Sequence, residues 1–133
     1  MTFRALDPVG WMPPRGYTNG VVTSGRLVVL AGQIGWNPAS GTFETDDFVL
    51  QVRQALTNIA VLLGEAGAEA SHLVRLTWFI TDRDAYLAAQ REIGEAYRDV
   101  MGRHYPPMSV VMVSALIEPR ALVEIEATAV LPE

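Results

Sequence analysis

The chain has 133 residues, half of them hydrophobic and 19% charged, which suits one globular domain with a real core and excludes a disordered chain. Its formal charge of −5 argues against phosphate backbones and anionic membranes as partners. All ten basic residues are arginine, which excludes a Schiff-base lysine, and the lack of cysteine excludes disulfides, thiolate nucleophiles and thiolate metal sites.

Residues 1–16 carry Pro8, Gly10, Pro13, Pro14 and Gly16, punctuation that predicts an extended lead-in rather than an element. The opening residues hold no long apolar run, and no stretch approaches the ~18 residues of a membrane helix, so the expected address is cytoplasmic. After Tyr17, the runs Gly20 to Thr23 and Arg26 to Ala31 are rich in β-formers, and Ser24-Gly25 between them reads as a hairpin turn. In Gly32-Gln33-Ile34-Gly35, two glycines permit a bulge or a close backbone approach. The run opens no helix, so it is not a phosphate loop.

Asp46-Asp47 predict a helix start, Phe48, Val52, Leu56, Ile59, Leu62 and Leu63 its apolar stripe, and Gly67 its end. Leu73 to Ile80 reads as a strand with Val74, Leu76, Trp78 and Ile80 on its apolar face. Asp82 and Asp84 are cap candidates for a second helix that turns Tyr86, Ala89, Ile93, Tyr97 and Val100 inward and stops at Gly102.

The last stretch, Ser109 to Ala115 and Ala121 to Val130 around Glu118-Pro119-Arg120, reads as an antiparallel hairpin. Its first strand is apolar from Val110 to Val113, as a strand covered on both sides would be. In its second strand Val123, Ile125, Ala127 and Ala129 share one face and Glu124 and Glu126 the other. Those two acids are either a solvated outer face or half-buried acids beside a cleft.

The order β-β-α-β-α-β-β predicts an α+β domain, a mixed sheet with two helices on one face. Two helices cover one face only, while the strands carry apolar residues toward both. The second face therefore implies a closed homo-oligomer. His72 and His104 have no partner at metal-ligand spacing and read as surface or packing residues. Ser24 and Ser109 have no evident base beside them. Trp11, Trp36 and Trp78 read as core or pocket wall.

Gly32-Gln33-Ile34, Gln51 through Asn58, Gly64-Glu65-Ala66-Gly67, Phe79 through Asp82 and Glu124-Ile125-Glu126-Ala127 stand in the order and near-spacing of the Rid (YjgF-type) reactive-intermediate deaminase family. The chain resembles that family from about Tyr17 to Val130. The resemblance implies one Rid-type domain over 1–133 with a chorismate-mutase-like fold. It also implies a homotrimer with a small-molecule cleft at each subunit boundary, and no nucleic-acid or membrane partner is expected. Members hydrolyse 2-imino acids or their enamine tautomers to keto acids and ammonia without metal or cofactor.

Carried over by position, Glu124 falls on the water-handling acid, Tyr17 near a cleft tyrosine, and Ala31 and Gly32 on a backbone-lined wall. A family asparagine is replaced by Gln90 or Arg91. Met108, in Tyr105-Pro106-Pro107-Met108-Ser109, stands where the family's carboxylate-binding arginine would be. A thioether cannot orient a carboxylate as a guanidinium does, which argues for a substrate without a clamped carboxylate. Arg120 of a neighbouring chain is the alternative clamp. Two further readings are a non-catalytic binding or sensing trimer, motivated by Met108, and a nuclease, which the acidic charge disfavours.

Overall fold

The computed structural model describes Phe3 to Glu133. Among the described residues six strands and three α-helices form, with one 3-10 turn at Ala70–His72: β1 (Phe3–Ala5), β2 (Val21–Thr23), β3 (Arg26–Ile34), α1 (Phe48–Glu65), β4 (Leu73–Ile80), α2 (Arg83–Ala88), α3 (Gln90–Met101), β5 (Met108–Met112) and β6 (Val123–Leu131). The main sheet has the order β3-β6-β4-β5, and β1 pairs with β2 as a separate ribbon. The chain is therefore α+β with a mixed sheet, the chorismate-mutase-like architecture.

Helix α1 begins where Asp47 accepts a hydrogen bond from the Leu50 N–H at 2.9 Å. It ends where Ala68 N–H reaches the Leu63 carbonyl, with Gly67 at a φ of 75° that a Cβ would strain. Val52, Leu56, Ile59 and Leu63 leave solvent almost completely and pack on Leu76, Val123 and Ile125 of the sheet. A fully buried side chain of this size contributes roughly 1.5–3 kcal/mol, so this seam dominates stability. The second helical region breaks at Ala89 into α2, capped by Asp82, and α3, whose Ile93 and Tyr97 are buried; Tyr86, Ala89 and Val100 are only half-buried.

Several expectations need correction. The terminal segment is not a hairpin: β6 lies between β3 and β4, antiparallel to both, while β5 pairs parallel with β4 at the sheet edge. A nine-residue strand with one face fully buried is worth two ladders, and the α2–α3 crossover delivers β5 parallel to β4. Ser24-Gly25 closes no hairpin either, because β2 pairs with β1 and β3 with β6. Gly25 is needed because a Cβ there would run into the Leu131 carbonyl. The lead-in holds a paired strand, β1. Val74 is half-exposed, because a register shift between Leu73 and Arg75 gives its core place to Leu73. Nor is β5 covered on both sides in the subunit: Val111 and Met112 are exposed.

The two histidines are structural. His72 Nδ1 accepts from the Glu69 N–H at 3.0 Å, and His104 Nε2 lies 2.9 Å from the Leu73 carbonyl with its ring edge-on to Phe3.

Candidate functional site

The register of β3 on β6 slips between Leu30 and Gln33, so the glycine pair produces the expected bulge. The slip seats Gly32 against Glu124: a Cβ on residue 32 would fall 2.7 Å from the Glu124 carboxyl carbon and Oε2. Three residues on, a Cβ on Gly35 would fall 2.5 Å from Gln51 Cβ. One glycine admits a carboxylate and the other admits a helix. The Glu124 carboxylate is half-buried and has no hydrogen-bond or ion-pair partner among the described residues. Glu126 is exposed, so the two acids of β6 have different surroundings.

Met108 begins β5 on the other face. It pairs with Leu76, packs toward the helices, and borders a cavity of about 340 Å³ between the β4–β5 edge and α3. Gln90 also lines this cavity, whereas Arg91 does not: it is exposed and reaches Glu95 at 3.4 Å along the helix. The cavity walls include Trp78, Tyr86, Tyr97 and Tyr105. Tyr97 stacks on Tyr105 at 5.2 Å and donates to the His104 carbonyl at 2.6 Å. Burial, then the neighbouring Tyr105, push the Tyr97 hydroxyl well above the ordinary phenol range, and burial raises Tyr86 too. Both stay neutral donors at physiological pH.

Tyr17 is exposed and does not itself line this cavity. Its neighbours Arg15 and Gly16 line the cavity, and Thr18 is bonded to the backbone of Tyr105 and Pro106. The seven positions picked from sequence therefore fall into separate places. Met108 and Gln90 share the cavity and Tyr17 stands beside it. Ala31, Gly32 and Glu124 lie at the β3–β6 side, and Arg91 points away. Glu124 and Met108 are two strands and three residues apart in register, roughly 14 Å at ordinary strand spacings, and on opposite faces. One small molecule on one subunit cannot touch both.

Two residues given no role from sequence, Gln51 and Asn58, position these elements together with Arg120. Gln51 is fully buried; its Nε2 donates to the Thr45 and Arg120 carbonyls and its Oε1 accepts from the Leu122 N–H at 2.8 Å. It thereby holds the loop that feeds β6. Asn58 donates to the carbonyls of Ile34 and Trp36 and accepts from Gln54, fixing the chain just beyond Gly32. Arg120 is engaged within its own subunit, with Asp46 at 2.9 Å, the Phe43 carbonyl and the Phe43 ring. The first two lie in a motif quoted for the resemblance, and polar residues inside an apolar helical stripe were the available signal.

Among the described residues no group of His, Asp and Glu side chains could hold a metal ion, and no helix is long and apolar enough to cross a membrane. What the arrangement offers is a carboxylate on a glycine shelf and, separately, an aromatic-walled cavity.

Comparison with known proteins places this fold and these positions in a family. Residues 11–131 match the sequence profile described as Endoribonuclease L-PSP. The chain belongs to that family, the Rid/YjgF group. It is 36% identical over 109 residues to a RutC family protein of Haemophilus influenzae, covering 82% of each chain. It is 32% identical over 105 residues to a 2-iminobutanoate/2-iminopropanoate deaminase of Capra hircus, covering 79% of this chain and 73% of the other. Among solved structures it is similar to YyfB of Yersinia pestis, a Rid-family protein of unknown function. That match has a TM-score of 0.85 and 33% identity, and covers 98% of this chain and 100% of the other.

Proposed function

We propose that the chain is one subunit of a cytoplasmic homotrimeric hydrolase of imines or enamines, with its site assembled at the subunit boundary. The observation that carries this reading is Glu124: an unpartnered, half-buried carboxylate on a glycine shelf, in a chain with an imine deaminase among its relatives. An acceptor-only group so placed can take a proton from water as the water adds to the C=N carbon. The proton then goes to nitrogen. The resulting carbinolamine collapses to the carbonyl compound with loss of ammonia. No metal or cofactor is called for.

The oligomer is supported by the helix-free face. Leu27, Val29 and Val111 are 67%, 69% and 42% exposed there, and Phe79 lies on the same face. Glu124 and the Met108 cavity are also too far apart to serve one ligand from one subunit. A neighbouring copy supplying Ala31, Gly32 and Glu124 beside another's Tyr17, Gln90 and Met108 would complete the site.

The test is ammonia release from 2-iminobutanoate and 2-iminopropanoate generated in situ. Turnover above background, falling about 10²–10⁴-fold in Glu124→Gln, is the expected result. No turnover on either compound would remove these substrates. Met108 favours a second reading, a binding or sensing trimer. In that case metabolites raise the melting temperature with no turnover. RNA cleavage lost in Glu124→Ala would point instead to a nuclease, against the net charge of −5.

A further inference from the structure

The Met108 cavity is not without cations. Arg98, one helical turn beyond Gly94, forms part of its wall, and Arg15 comes in from the lead-in. The ion pairs among the described residues take up Arg53, Arg91 and Arg120, leaving Arg98 without a carboxylate partner although it is half-buried. Gly94 leaves room beside it: a Cβ on residue 94 would fall 3.1 Å from Arg98 Nη1, a tight approach that the guanidinium would relieve by moving a few tenths of an ångström. Glycine inside a helix is unfavourable, and this one removes side-chain bulk at the wall where the guanidinium sits.

The rest of the wall is largely aromatic, and Trp78 is part of it. Trp78 is 3% exposed and its Nε1 is itself buried, so a ligand in the cavity meets the indole ring and not the N–H. A volume of about 340 Å³ lies within the range of small-molecule sites.

We propose that this cavity binds a carboxylate-bearing ligand with an apolar or aromatic body. Arg98 is the anion-recognising group in place of the residue at position 108, and the Trp78 ring is part of the wall for the apolar body. Met108 alone argued for a ligand without a clamped carboxylate; the guanidinium beside it argues for an acid, held from the helix instead of the strand. Under the hydrolase reading above, on which only this step rests, the substrates are 2-imino acids with bulky apolar side chains. The binding itself stands independently of turnover.

The test is calorimetric titration of the full chain with phenylpyruvate and with phenylacetone, which carries a methyl where the acid was. The wild type binds phenylpyruvate at least tenfold more tightly, and the Trp78 indole N–H resonance, assigned from Trp78→Phe, shifts on addition. Arg98→Met abolishes the preference while leaving phenylacetone affinity unchanged. Gly94→Ala, which crowds the guanidinium without removing it, weakens the preference and serves if Arg98→Met does not fold. Equal affinity for the two compounds, no binding of either, or a preference that survives both substitutions overturns the proposal. Glu124→Gln separates the two readings: it keeps the preference even if ammonia release is lost or was never present.

Discussion

The two faces of the sheet are finished to different degrees. On the helix face, Leu56, Ile59, Leu76 and Ile125 are sealed, and the two buried amides, Gln51 and Asn58, have their polar atoms paired with the chain itself. On the opposite face Leu27 and Val29 stand mostly in solvent and Glu124 has no partner among the described residues. Buried polar groups left unpaired and apolar patches left exposed are both costly. The subunit seals most of the first side by itself and leaves the second open, as the proposed oligomer requires. The sealed core around Gln51 belongs to the first side and Glu124 to the second, so substitutions at these two places should separate by face.

The largest effect is expected at Gln51. Gln51→Leu keeps the volume but strips partners from the Thr45 and Arg120 carbonyls and the Leu122 N–H, which at ~1–3 kcal/mol per unsatisfied buried group comes to about 3 kcal/mol or more. A urea midpoint well below wild type with an unchanged slope is the expected result. Loss of stability below ~1 kcal/mol would mean that the β5–β6 loop is held by something else.

Val29→Glu should do the reverse. It places a charge on the open face, and the sheet pairing of Val29 with Thr128 does not depend on its side chain. Sedimentation should show trimers reduced to single chains that keep the wild-type circular dichroism spectrum. Trimers persisting in this variant would place the interface elsewhere. Gly32→Ala sits between the two faces. Its Cβ would meet the end of the Glu124 side chain, which can swing aside, so the fold should lose less than ~1 kcal/mol. The carboxylate would be displaced by an ångström or more, and deaminase activity should fall about 100-fold. Full activity in Gly32→Ala would remove Glu124 from the chemistry.

The same division governs what could be read from the residues. Helix α1 was legible at both ends, because Asp47 and Gly67 act locally. The pairing of β5 and β6 was not. A turn at Glu118-Pro119-Arg120 looks like a hairpin, and nothing within that window shows that Arg120 is bound to Asp46 or that β6 belongs between β3 and β4. In the site, Gly32 and Glu124 were each picked through resemblance, and their close approach to one another comes from the structure alone. Arg98 was missed. An arginine on an amphipathic helix reads as a solvated residue, and only the packing of α3 beside Trp78 and Met108 gives it a cavity. Glycine four residues before it, inside a helical run, was the local hint.

That hint supplies the smallest and most discriminating prediction. If Gly94 served the helix alone, alanine would be the better residue by up to ~1 kcal/mol, because it lowers the entropy of the unfolded chain. A Cβ there would come within 3.1 Å of Arg98 Nη1, the far end of a flexible side chain that can yield at little cost. Gly94→Ala should therefore raise the denaturation midpoint slightly even as it moves the guanidinium. A gain in stability coupled to a loss of ligand affinity is the signature of a residue kept for a site. A loss of both would mean that Arg98 is fixed by packing, and that the glycine serves the fold like the buried amides on the same side of the sheet.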